Sequence, residues 1–468
     1  MHSPFLERRI TDKNELNMDS SKKIRYERPL IKPINAMMPG KTGKDTYLVP
    51  VLDVDGVPVS ALVEKYGSPL FVFSERKQRE NIQRAKRSFT TRYPKVHFAW
   101  SYKTNYLDGI CKIFHEEGSW AEVVSGFEYD KAIRNGVSGN HIIFNGPAKT
   151  KDDLKKAITN GSFIHIDNMD ELYLLSDLSD ELSIKPKVAV RVNLDTEINQ
   201  IWDRFGFNYE NGQAWDVLCK IVRMDKFELK GLHCHIGTFI LTAHAYAVAA
   251  EKMANLACNV KQKLGVNIEY LDMGGGFASK NTLKASYLGG ADVCPSFDEY
   301  AEAISTAIYK APFKTSDLPV LILETGRALI DDAACLISTV LSNKRSSSGR
   351  RFTIIDAGVN MLFTSFWYDH KVSPAQPFSK YYEDVTLYGP LCMNIDVIRE
   401  FVSLPLLNRG DHLVIHNVGA YNVSQWMQFI TLRPYVVQVS REGKVSVLRK
   451  RETIETIVNQ ESSTTDNL

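Results

Sequence analysis

Between about residues 70 and 330 the chain alternates two textures. Short apolar runs (PLFVFS, VHFAWSY, WAEVVS, HIIFNG, FIHID, KVAVRVN, LKGLHCHIG, NIEYLDMGGG and PVLILETG) are separated by longer charged stretches such as ERKQRENIQRAKRSFTTR and AYAVAAEKMANLACNVKQKLG. The runs have the β-branched content of buried strands, and the stretches have the apolar recurrence of amphipathic helices. Strand then helix, repeated about eight times, predicts a parallel α/β fold. The count over this length favours a closed TIM-type (β/α)8 barrel over an open sheet. From about residue 335 the pattern changes to β-branched strands divided by turns, as in FTIIDAG, DVTLYGP, DHLVIHNVGAY and KVSVLRK, which predicts a C-terminal all-β domain. The early segment TYLVPVLDVDGVPVS is also strand-like and is expected to pair with that domain. The resulting division is a polar extension over 1–45, an N-terminal segment over 46–71, a barrel over 72–333, a β domain over 334–450 and a disordered tail over 451–468.

Composition narrows the class without changing the fold. The 468 residues are 44% hydrophobic and 24% charged, ordinary values for a globular protein with room for two domains. A formal net charge of +2 supplies no field that would draw the chain to nucleic acid or an anionic membrane. The 7 cysteines are scattered singly with no C-x-x-C, which fits a reducing compartment. The N-terminus is charged throughout with no apolar stretch, so a cytoplasmic location is expected, and no run reaches membrane-spanning length.

In a barrel of this kind, functional side chains gather at the C-terminal ends of the strands. The sequence places Lys103 after VHFAWSY, His233 and His235 in LKGLHCHIG, Gly274, Gly275 and Gly276 after EYLDM, and Glu324, Gly326 and Arg327 after PVLIL. Taken singly, each has an ordinary reading: a lysine that snorkels to water, a tight glycine turn, a core histidine pair, a salt bridge. HCH has no third metal ligand at a recognisable spacing, so no metal is expected. Together on one rim the residues suit one cofactor. A lysine can form a Schiff base, and burial is expected to lower its pKa and leave the amine nucleophilic. Three glycines bare backbone N–H groups to a phosphate, and an arginine can clamp the same dianion. An acid can pair with a protonated pyridine nitrogen, and an imidazole can lie against the ring. These are the parts that pyridoxal 5'-phosphate (PLP) requires.

The motifs SYKTN, GSWAEVVSGFE, GLHCHIGT, LDMGGGF, ETGR, IIDAGVN, GPLCMNID and GAY, in this order, resemble the barrel-type (fold type III) PLP-dependent decarboxylases, the family of diaminopimelate and ornithine decarboxylases. The resemblance runs from about residue 48 to 440. It implies that Lys103 is the Schiff-base lysine, with Glu122, His235, Thr238, the three glycines, Glu324, Gly326, Arg327 and Tyr421 around the cofactor. It implies a homodimer with shared active sites, in which Cys392 enters the partner's site and helps reprotonate the α-carbon. Departures bear on the substrate. Met393 stands where diaminopimelate decarboxylases carry an acid for the distal ammonium, and Thr364 where they carry an arginine for the distal carboxylate. YDH resembles the ornithine-type enzymes, so Asp369 is expected at a distal amine, with Asp396 as a further acid of the substrate end. The implied function is α-decarboxylation of a diamino acid, or of a conjugated derivative such as a siderophore intermediate, rather than of free diaminopimelate. A racemase or epimerase on the same scaffold and a non-catalytic regulatory homologue are the alternatives.

Overall fold

The computed structural model describes residues 48–379 and 381–462. The expected polar extension at 1–45 and the last residues of the expected tail lie outside the described residues.

Eight parallel strands close a barrel: Val96–Ser101, Trp120–Val123, Ile142–Phe144, Phe163–Ile166, Lys187–Asn193, Glu228–Cys234, Tyr270–Asp272 and Val320–Leu323. Each pairs with the next, and Val320–Leu323 returns to Val96–Ser101. Five of the helices between and before them start at side-chain caps the sequence supplies. Ser74, Ser125, Thr150, Asn168 and Ser296 each accept an amide of the first turn, which satisfies a donor that the helix leaves unpaired.

The first of the nine apolar runs departs from the expected pattern. Leu70–Ser74 is not a barrel strand; it pairs antiparallel with Ala334–Arg345 and parallel with Tyr435–Val439 in the sheet of the C-terminal domain. All five of its residues are buried. Phe71 and Phe73 pack into the main core, while Leu70 and Val72 pack with Val59, Leu62, Ile337, Val414 and Val437. A strand covered on both faces reads as a continuous apolar run wherever it belongs, so its pattern alone does not distinguish a barrel strand from this one.

The segment before it meets the C-terminal domain through a backbone hydrogen bond and apolar packing. Asp53–Val54 pairs with Val57–Pro58 as its own small hairpin, and the Val51 amide donates to Pro374 O at 2.9 Å. At the other end Ile454–Val458 forms a short helix in the stretch expected as disordered tail. The chain is anchored just before it, where buried Glu452 takes Arg433 and Arg449 at 3.2 Å each.

The two domains lock together at the barrel mouth. Ser424 Oγ donates to Lys103 O at 2.8 Å, the Tyr421 amide to Thr104 O at 2.9 Å, and Asn105 Nδ2 to Gly419 O at 3.3 Å. Gly419 has no room for a side chain, since a Cβ would stand 2.0 Å from Ile330 O. Asp331 ties the same loop to the barrel, accepting Ser279 Oγ at 2.5 Å, Asn281 Nδ2 at 2.8 Å and the Ala420 amide at 3.3 Å. Burial outweighs these donors and the nearby Arg327, and pushes the Asp331 carboxyl up to about 6. The folded chain therefore binds this proton more tightly than the unfolded chain. Its contribution to stability is full below about pH 4 and is lost as pH rises toward 6, a change of about 3 kcal/mol. Denaturant melts of the wild type and Asp331→Asn across this window check it: the pH slope is expected to flatten in the variant. Among the described residues no helix is long and apolar enough to cross a membrane.

Candidate active site

The barrel delivers polar side chains to one end from all eight strands. Lys103 lies in the turn Tyr102–Thr104, directly after Val96–Ser101. Its Nζ donates to both oxygens of Glu122, at 2.8 and 2.7 Å. Glu122 is fully buried on the next strand, whereas the Lys103 side chain keeps 36% exposure toward the mouth. Burial alone was expected to depress the lysine. It does oppose the charge, but Glu122, Glu324 and Tyr421 overcome it, and the ammonium is held above its ordinary range. Burial raises the Glu122 carboxyl against the pull of Lys103. Before cofactor binds, this site thus stores its amine as a tight ion pair.

Glu324 follows Val320–Leu323 and is buried. Asn145 Nδ2 donates to one of its oxygens, and His233 Nε2 stands 3.5 Å from the other. His165 stacks on His233 with centroids 4.7 Å apart and bonds Tyr270 through Nε2 at 3.0 Å. His165, His233 and Glu324 bring ligand-type atoms within 4.8 Å, a third partner that sequence spacing did not reveal. His165 is engaged by Tyr270 and Glu324 by Asn145, and the cluster forms a polar floor to the barrel.

The glycine run bends where side chains cannot fit. Gly274 and Gly276 have φ of 64° and 88°, and a Cβ on Gly276 would stand 2.2 Å from Gly237 O. The Gly275 amide donates to His235 Nδ1 at 3.2 Å, which puts the ring proton on Nε2. Burial, then Lys103, keeps this imidazole neutral by lowering its pKa well below the ordinary value. Gly326 backs the lysine turn, because a Cβ there would meet Thr104 Oγ1 at 2.0 Å. Arg327 donates through Nη2 to Thr238 at 3.4 Å and lies over Tyr421, Tyr368 and Phe239, at 4.6, 5.5 and 5.7 Å from the ring centroids. Its Nη1 is buried and has no acceptor among the described residues. A buried guanidinium donor without a partner, beside a glycine turn, fits a missing anion such as a phosphate. The predicted cofactor residues therefore converge, and PLP matches what they offer: an amine, a buried acid, a neutral imidazole and an unpaired arginine donor.

A profile described as "Pyridoxal-dependent decarboxylase, pyridoxal binding domain" matches residues 79–331, more than half of the chain. The chain belongs to this family. Membership carries the PLP cofactor and the carboxy-lyase class. The diaminopimelate decarboxylase of Methanothermobacter thermautotrophicus is 31% identical over 86% of this chain and 93% of its own length. That of Bacillus subtilis is 29% identical over 87% and 94%. The crystal structure of the M. jannaschii diaminopimelate decarboxylase superposes with a TM-score of 0.81 at 28% identity, covering 89% of this chain and 97% of that one, and the same enzyme in complex with L-lysine also gives 0.81. The likeness spans both domains.

The substrate-end expectations fare differently. Thr364 is fully buried, donates to Asn422 Oδ1 and contacts His370 Nε2, both at 2.9 Å. Asp396 accepts the Val359 and Leu391 amides at 2.8 and 2.7 Å, one on each oxygen, and shapes the loop that carries Cys392. Asp369 is half-buried and faces Arg399 at 3.4 Å, so it is not a lone acid awaiting an amine. Cys392 is exposed, and Met393 packs partly against the core. Sequence reasoning missed Asn145, His165, Arg191 and Asp272. Arg191 is buried within Lys187–Asn193, 3.3 Å from Asp167 and over Phe205. The available signal was a charged or amide side chain inside an apolar barrel run.

Proposed function

We propose that this chain removes the α-carboxylate of a diamino acid, or of a conjugated derivative whose far end differs from free diaminopimelate. One observation carries the far-end reading: the position where diaminopimelate decarboxylases carry an arginine is a buried threonine tied to Asn422 and His370. Met393 adds an apolar side chain where an acid would meet an ammonium group.

When bound, PLP supplies an electron-withdrawing ring that stabilises negative charge at the α-carbon. The chain's own residues do the rest. Lys103, paired with Glu122, would hold the cofactor and could take up or deliver a proton at its Nζ. Glu324, bonded by Asn145, would pair with the ring nitrogen. His235, neutral, would serve the ring, and the glycine turn, Thr238, Tyr421 and Arg327 would hold the phosphate. Cys392, exposed in the single chain, supplies a proton donor to the active site of a second copy, which makes the working unit a homodimer.

Release of CO₂ from ornithine, lysine, arginine, diaminopimelate and citrate-conjugated diamino acids tests this reading. A substrate other than free diaminopimelate is expected to give the largest kcat/KM. Preference for free diaminopimelate overturns the far-end reading, and solvent deuterium at the α-carbon with no CO₂ selects a racemase instead.

A further inference from the structure

Beneath Glu324 one buried oxygen is left over, and it rests on the reading of Glu324 as the acid that meets the cofactor's ring nitrogen. Strand register sets Asp272 beside His233 on one side and Ile322 on the other, two residues short of Glu324. Asp272 is fully buried, and its Oδ1 accepts the Gly274 amide at 2.8 Å. Its Oδ2 is sealed from solvent and finds no donor among the described residues. The Gly274 carbonyl in turn accepts the Glu324 amide at 2.8 Å, so one turn joins the two acids.

A buried carboxylate oxygen with no donor is costly, and two carboxylates face to face are costlier. Both costs vanish if the leftover oxygen bears the proton, because a carboxylic acid is a donor. The groups around Asp272 favour that. Glu324 and Glu122 are acids, Tyr270 and Cys234 are held neutral by burial, and His233 is an imidazole that burial keeps uncharged. Burial and then Glu324 push the Asp272 carboxyl well above its ordinary value.

We propose that Asp272 is a protonated carboxylic acid that donates to Glu324, completing with Asn145 and His233 a buried collar that holds the Glu324 carboxylate toward the cofactor's ring nitrogen. Asp272 is then a positioning residue. Its hydrogen bond tempers the basicity of Glu324 and so sets how tightly the ring proton is held.

Infrared difference spectroscopy of the cofactor-free protein at neutral pH tests this without reference to PLP. A carbonyl band of a protonated carboxyl group is expected in the wild type, lost in Asp272→Asn and shifted in Glu324→Gln. No such band, a band untouched by Asp272→Asn, or one lost only in Glu324→Gln would each overturn the proposal. Should Asp272→Asn not fold, the Glu324→Gln shift decides alone, its absence counting against. In the loaded enzyme, Asp272→Asn still offers a donor and Asp272→Leu offers none. The pH at which the bound cofactor's absorbance changes is expected to move by about one unit only in the leucine variant. Equal movement in both also overturns the proposal, while a protein that shows the band but binds no PLP retires only the cofactor reading.

Discussion

Lys103→Ala is expected to remove the visible absorbance of the lysine-bound cofactor and to lower turnover by about 10³-fold or more, the scale on which a positioned proton-transfer group contributes. On the proposed reading the amine would be both the covalent anchor and the base nearest the reacting carbon, with no neighbour to replace it. The fold is expected to survive. Lys103 touches the rest of the chain through its side chain at Glu122, while its backbone is held independently by Ser424. The exposed flank of the lysine means that little packing is lost. The stability cost comes from Glu122, left fully buried without its cation. Burial already raises that carboxyl, so it can take a proton rather than remain a stranded charge. Lys103→Ala/Glu122→Gln should therefore melt close to the wild type and above Lys103→Ala alone, yet stay inactive. Absorbance, CO₂ release and thermal melts on the three proteins measure this. A single variant that retains the visible band would remove Lys103 from the site.

The barrel was legible because its strands obey one local rule: an apolar run, then a polar residue at the carboxyl end. That rule placed Lys103, His235, the glycine turn, Glu324 and Arg327 on one rim before any coordinates. It over-counted at Leu70–Ser74, whose two buried faces mimic a barrel strand though it lies in the other sheet. The rule was blind to the floor of the site. Asn145, His165 and Asp272 matter because strands far apart in sequence bring them under Glu324, and pattern within one strand carries no such information. The charge on Lys103 failed for a related reason. Burial is a property of one position, but the sign of the shift was decided by Glu122, 19 residues on and on the neighbouring strand. Thr364 and Asp396 were assigned by position in a motif, and the structure turns both toward neighbouring backbone and side chains. A position in a motif fixes where a residue sits along the chain, not which way its side chain faces.

Arg327→Met should weaken PLP binding by about 100-fold while leaving the fold in place. The guanidinium is held in a cage of Tyr421, Tyr368 and Phe239, with Thr238 as a long hydrogen-bond partner through Nη2. The rings hold the cation by their faces and leave its N–H edge free. Nη1, buried and without an acceptor, is the part of that edge the protein leaves unused. A phosphate dianion would accept there, and hydrogen bonds to charged groups are worth about 1.5–3 kcal/mol each, so losing one or two gives the stated factor. Methionine keeps the stem against the rings and leaves no buried donor unsatisfied, so the melting temperature of the cofactor-free protein should hold or rise slightly. Arg327→Lys should not restore affinity, because an ammonium group cannot lie flat among three rings and present a planar fork to phosphate. Titration of the cofactor-free protein with PLP, followed by absorbance, gives the dissociation constants directly. Inorganic phosphate should compete with PLP in the wild type and lose that effect in Arg327→Met. A methionine variant that binds PLP as tightly as the wild type would place the phosphate elsewhere and leave the buried Nη1 without its explanation.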